Sequence, residues 1–258
     1  MNNHEIDYKL MGEEMQCVEI ELDPQEAVIA EPGSFMMMTD GVKMETLFGD
    51  GNEKGIMGKL FSAGKRLLTG ENLFMTVYTN ISSEKRQVSF AAPYAGKIIP
   101  LDLSKLGGKI ICQKDSFLCA AKGVAVGIEF QKKLGTGLFG GEGFIMQKLE
   151  GDGMAFVHSG GHVIEKTLSP GELFKVDTGC IVAFESTVNY DIQFVGGVKN
   201  TLFGGEGMFY ATLRGSGKVW IQTLPISRLA GRILSYGSGS RREEGSILGG
   251  IGNLLDGD

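Results

Sequence analysis

The sequence predicts an all-β protein made of three tandem β-units, with two short amphipathic helices attached. Three observations predict it. The hexapeptide Leu138-Phe139-Gly140-Gly141-Glu142-Gly143 returns unchanged as Leu202-Phe203-Gly204-Gly205-Glu206-Gly207, an offset of 64 residues. Self-similarity of this kind marks a chain built by repetition. Apolar and polar residues alternate over several short runs, the pattern of half-buried strands. The chain also carries 40 glycines among its 258 residues, set in short pairs between apolar runs, with only 6 prolines. That is turn chemistry for many short strands.

The first unit covers about residues 24–104. Ser34-Phe35-Met36-Met37 begins an apolar strand, and Val42, Met44 and Thr46 form one face of the next, with Lys43 and Glu45 outward. A weaker copy of the repeated turn, Leu67-Leu68-Thr69-Gly70-Glu71-Asn72, stands 71 residues before Leu138. The strands ahead of it stand 82 residues before their counterparts, so 11 extra residues fall between Thr46 and Leu67. Ile56, Leu60, Phe61, Gly64, Leu67 and Leu68 recur there at helical spacing, with Lys59, Lys65 and Arg66 off the stripe. The spacing predicts a basic amphipathic helix over about 56–68.

The second unit, about 105–167, repeats the strand pattern in Ser116-Phe117-Leu118-Cys119 and in Val124, Val126, Ile128 and Phe130. The third, about 168–225, repeats it in Cys180-Ile181-Val182-Ala183 and in Val188, Tyr190, Ile192 and Phe194. After each Gly-Glu turn come two more strands, Phe144–Glu150 with Met154–His158, and Met208–Arg214 with Lys218–Gln222. A unit of about 60 residues leaves sheet edges and faces uncovered. Packing the three together covers them, which predicts one integrated pseudo-threefold body over 1–225, of sandwich or barrel type. Trp220 lies in an apolar strand and is assigned to the core. Beyond Pro225, Ile226, Leu229, Ala230, Ile233 and Leu234 mark a second amphipathic helix over 226–236. Residues 237–258 read as a flexible glycine-rich tail.

Charge and cysteine content narrow the function classes. The net charge is −6, which argues against a nucleic-acid partner, since phosphate binding needs a concentrated basic face. Cys17, Cys112, Cys119 and Cys180 form no Cys-x-x-Cys and no zinc spacing, and read as reduced thiols in a reducing compartment. The first residues lack the features of a secretory signal or a transit peptide, and no apolar run approaches the ~20 residues of a spanning helix. The expected location is cytoplasmic.

The candidate chemistry is thin. Gly135-Thr136-Gly137-Leu138-Phe139-Gly140 spells G-x-G-x-x-G, but a further strand-like run follows where a dinucleotide site requires a helix. Gly217-Lys218 and Gly58-Lys59 fail the phosphate-loop pattern, with Val219 and Leu60 at the hydroxyl position. His158 and His162, with Glu165, are the best metal candidates, in the manner of a cupin-like barrel. Their spacing departs from His-x-His, and Gln222 and Ile226 stand where the repeat would place the histidines. An exposed hairpin is the favoured reading. Glu71, Glu142 and Glu206 recur with the turns and are read as carboxylates satisfying turn amides. No catalytic residue, cofactor or metal is assigned.

The run Glu31-Pro32-Gly33-Ser34-Phe35-Met36, then Lys65–Phe74, the paired Phe-Gly-Gly-Glu-Gly turns and Lys218–Thr223 resemble the altered-inheritance-of-mitochondria type of TRAP-like protein. TRAP denotes the tryptophan RNA-binding attenuation protein. The resemblance spans about residues 15–235. It implies tandem TRAP-like, double-stranded β-helix units and a homo-oligomer, and it supplies no catalytic residues. The leading expectation is a non-enzymatic oligomeric β-scaffold with weak contact to an anionic membrane surface through 56–68 and 226–236. The alternatives are a small-ligand or RNA-binding module of the same fold and a cupin-like metal-dependent enzyme.

Overall fold

A computed structural model describes residues 3–48, 74–132, 144–195 and 208–239. The chain is mostly β, as expected. Its strands in order are β1 (Asp7–Met11), β2 (Cys17–Leu22), β3 (Ala27–Ala30), β4 (Phe35–Met38), β5 (Val42–Phe48), β6 (Phe74–Asn80), β7 (Arg86–Ala91) and β8 (Gly96–Asp102). There follow β9 (Lys109–Gln113), β10 (Phe117–Ala121), β11 (Ala125–Lys132), β12 (Phe144–Glu150) and β13 (Met154–Gly160). Last come β14 (Val163–Asp177), β15 (Ile181–Glu185), β16 (Val188–Val195), β17 (Met208–Gln222) and the helix α1 (Ile226–Gly239). The helix runs three residues beyond the predicted 236. The predicted helix at 56–68, the repeated glycine turns, the three recurring glutamates and residues 240–258 lie outside the described residues.

Sequence periodicity accounts for the strands. In β2, Val18, Ile20 and Leu22 point inward while Cys17, Glu19 and Glu21 point out, because successive side chains of a strand face opposite ways. In β10 all five residues are buried, and in β15 the first four are. Such uninterrupted apolar runs mark strands covered on both faces. Phe90, Phe144, Phe156 and Phe184 are among the largest wholly buried side chains, and each contributes about 1.5–3 kcal/mol relative to exposure. Trp220 is buried, as are Cys112 and Cys119, whereas Cys17 and Cys180 are only half-buried; all four are free thiols.

The strands form three sheets. One has the order β1-β2-β7-β4, the second β5-β6-β3-β10-β13-β8, and the third β11-β12-β9-β15-β17-β14, with β16 also on β17. Among the described residues every pair of these strands is antiparallel. β10 lies between β3 and β13, and β15 between β9 and β17. β4 pairs with β7 and forms the edge of its sheet. The C-terminal half of β14 pairs with β17 and likewise ends its sheet. Register shifts fall between Phe35 and Met37, Phe117 and Cys119, and Ile181 and Ala183. The residues inside them, Met36, Leu118 and Val182, are 82 and 64 positions apart.

Candidate functional site

The three metal candidates are not brought together. His158, on β13, is only 2% exposed, so the exposed-hairpin expectation fails at this residue. The reason is tertiary. β13 is flanked by β10 and β8, and the Tyr94 ring packs edge-on against the imidazole at 4.5 Å. Neither ring nitrogen makes a well-formed hydrogen bond. Burial pushes the imidazole pKa down to about 4, with the nearby Tyr94 backbone opposing it.

His162 does occupy an exposed turn, where its backbone N–H donates to Thr223 Oγ1 at 2.9 Å. Glu165 is engaged elsewhere. Its carboxylate accepts from Lys218 Nζ at 2.7 Å and from Trp220 Nε1 at 3.0 Å. The Lys218 hydrogen bond holds it below the ordinary carboxylate range, with a smaller contribution from Trp220. Among the described residues there is no group of three or more His, Cys, Asp or Glu side chains fit to hold a metal ion. Burial also pushes the Cys112 and Cys119 thiols up, away from the reactive thiolate form.

The more informative feature is an exposed apolar edge. All four side chains of β4, Phe35, Met36, Met37 and Met38, are exposed, and so is Met44 on β5. Phe35 stacks on Tyr78 at 5.5 Å, 13° from parallel, which ties the strip to the core. Sequence reasoning identified this run as a strand but not its exposure, because FMMM and FLCAA carry the same apolar signal. Exposure follows from which neighbours a strand has. At the 64-residue spacing, Leu118 and Val182 are 2% and 0% exposed, whereas Met36 is 50% exposed.

A second exposed feature is the outer half of α1. Ile226, Leu229 and Ala230 are half-buried, while Ile233 and Tyr236 are exposed. Arg228, on the same helix, donates to Asp177 Oδ2 at 3.1 Å and so ties α1 to the end of β14. Among the described residues no helix is long and apolar enough to cross a membrane.

Comparison with known proteins agrees with this architecture. An X-ray structure of a Streptococcus pyogenes protein superposes with a TM-score of 0.70 at 24% identity, covering 90% of this chain and 99% of the other, a likeness of fold. An uncharacterized protein from Streptococcus pyogenes serotype M6 is 31% identical over 223 residues, 85% of this chain and 86% of its own length. The family model described as Mitochondrial biogenesis AIM24 matches residues 8–224. That stretch takes in all but the start of β1 and α1, and with it this chain belongs to the AIM24 family.

Proposed function

We propose that this protein is a non-enzymatic, self-associating β-scaffold. It is built from three copies of a TRAP-like sheet unit, at about residues 24–104, 105–167 and 168–225, in pseudo-threefold arrangement. What carries the reading is a seam that two pairs of units form and the third pair leaves open. β3 pairs with β10, with Ala30 opposite Cys119 and Ile29 opposite Ala120. β9 pairs with β15, with Cys112 opposite Ala183 and Ile111 opposite Phe184. The same repeat offsets take Cys119 back to Met37, and Cys112 forward to Val176. A third seam would therefore pair Met37 with Val176 and Met38 with Lys175. Instead, among the described residues, β4 and the C-terminal half of β14 are both sheet edges.

An exposed apolar edge strand is a template for pairing with another chain. Two different edges that complement each other make a head-to-tail contact, which closes into a ring or runs on as a filament. The scaffold thus assembles by seating β4 of one copy against β14 of the next. A weak contact with an anionic membrane surface, through the outer face of α1 at 226–236, completes the proposal.

Cysteine cross-linking tests the seam. Met37→Cys and Val176→Cys, made in separate copies and mixed under mild oxidation, are expected to give a covalent heterodimer that neither gives alone. A cross-link formed only within one copy of the double variant, or a wild-type protein monomeric by light scattering up to its solubility limit, would overturn self-association.

A further inference from the structure

A cavity of about 470 Å³ lies where the β3–β4 turn, the β7–β8 turn and the helical turn before β10 converge. Its volume is that of small-molecule sites, about 300–1,000 Å³. Pro93, Phe117, Leu118 and Ile226 give it apolar walls. Glu31, Tyr94, Lys114, Asp115 and His158 also line it.

His158 is the telling member. It is almost wholly buried, and neither ring nitrogen makes a well-formed hydrogen bond, the Tyr94 backbone being the polar group that acts on the ring. A buried polar group without a good partner destabilises the fold unless something else satisfies it. Gln222, 64 residues on, is also buried, but both its polar atoms are hydrogen-bonded. Its Nε2 donates to the Gly179 carbonyl at 2.8 Å, and its Oε1 accepts from the Gly160 N–H at 2.7 Å. At one place a buried polar side chain is bonded to the chain's own backbone; at the other the polar side chain lines a cavity.

The polar lining is rich in acceptors. Two carboxyls, a neutral imidazole and a phenol stand against one lysine. We propose that this cavity binds a small organic amine as its ammonium ion, the charge lying against Glu31, one N–H directed at His158, and the apolar body held between Pro93, Phe117 and Ile226. None of the lining residues lies in β4 or β14.

Protonation at Glu31 adds a signature. Burial pushes its carboxyl up to about 7, with Lys114 pulling it down and Asp115 pushing it up. Tyr94 and His158 face the same space and stay uncharged at neutral pH, the phenol being raised to about 12 and the imidazole lowered to about 4. An arriving ammonium favours the ionised carboxylate, so binding below neutral pH releases a proton.

Calorimetric titration of the full chain with cyclohexylamine, cyclohexanol and cyclohexanecarboxylate tests the assignment. The amine is expected to bind at least about tenfold tighter than the other two. Its affinity is expected to fall by about tenfold for each pH unit below 7. Glu31→Gln is expected to weaken it by at least about tenfold, since the structure uses the backbone N–H and C=O of Glu31, not its carboxylate, to shape the turn. Nitrogen-15 shifts of the His158 ring in the wild-type protein give a readout that needs no variant, and they should move on adding the amine. Absence of saturable amine binding, equal or tighter binding of the carboxylate, or an unmoved His158 ring at saturation would overturn it.

Discussion

At the scale of single residues, His158 and Glu31 pull the pH dependence of stability in opposite directions. The His158 imidazole is lowered from 6.5 to about 4 by burial. Over that interval the unfolded chain takes up a proton that the folded chain refuses. This contribution is therefore complete above pH 6.5 and is lost as pH falls through about 4. The Glu31 carboxyl is raised from 4.5 to about 7, again by burial first. Its contribution is complete below pH 4.5 and is lost as pH rises through about 7. Between 4.5 and 6.5 the two slopes oppose each other. Replacing Glu31 by Gln removes one of them. Denaturant melts from pH 6.5 to 4.5 should then lose up to about 1.4 kcal/mol per pH unit more than wild type. His158→Gln should shift the slope the other way. Identical slopes in all three proteins would show that neither group titrates as its surroundings dictate. Other ionisable groups are common to the three and drop out of the difference.

At the scale of elements, the contrast among β4, β10 and β15 shows how little a strand's composition says about its burial. All three are apolar, yet only β4 has an open flank. A lysine on that flank should be nearly harmless to the fold and damaging to assembly. Met37→Lys is expected to retain the wild-type melting temperature within about 2 °C, the scale of ordinary surface changes of about 0.5 kcal/mol. It should also shift the light-scattering mass toward the monomer. The β8–β13 pair shows the opposite sensitivity. Gly96 lies opposite Gly160, and a Cβ at Gly96 would sit 1.7 Å from the Ser159 carbonyl oxygen. Backbone cannot yield there as a flexible side chain would. Gly96→Ala should cost about 1–3 kcal/mol or more, read as a melting temperature lower by about 2–4 °C per kcal/mol. The outer half of α1 carries the membrane clause. Co-sedimentation with vesicles of phosphatidylserine and phosphatidylcholine should be weak, salt-sensitive and reduced by Ile233→Asp. No sedimentation of the wild-type protein at low salt removes that clause.

At the scale of the whole molecule, assembly should depend on concentration, because a seam of two short strands buries a modest area. Light scattering over a dilution series should therefore find a mass that rises with concentration. It should end at a fixed multiple for a closed ring, or grow without limit for a filament. A mass independent of concentration would mean a different interface. Period-2 alternation and glycine turns made the all-β class and most strands legible, down to β11 and β16 at matching offsets. The repeated Phe-Gly-Gly-Glu-Gly motif and the run through Glu31 to Met36 made the family legible. The cavity was not. Glu31, Tyr94, Lys114 and His158 are scattered through the chain, with no spacing to connect them. Only the meeting of three turns does so. His158 attracted notice as a neighbour of His162, yet in the fold its neighbour is Tyr94.

The sequence by itself determined what is local: where strands begin and turn, which of their faces are apolar, and which family they spell, because hydrophobic periodicity and turn chemistry act over a few residues. Tertiary structure alone decided which strands are covered and which lie at an edge, and which polar groups end beside one another. Those outcomes depend on partners brought from 60 or more residues away, as between Ser159 Oγ and the Lys97 carbonyl, and no short stretch of sequence contains them.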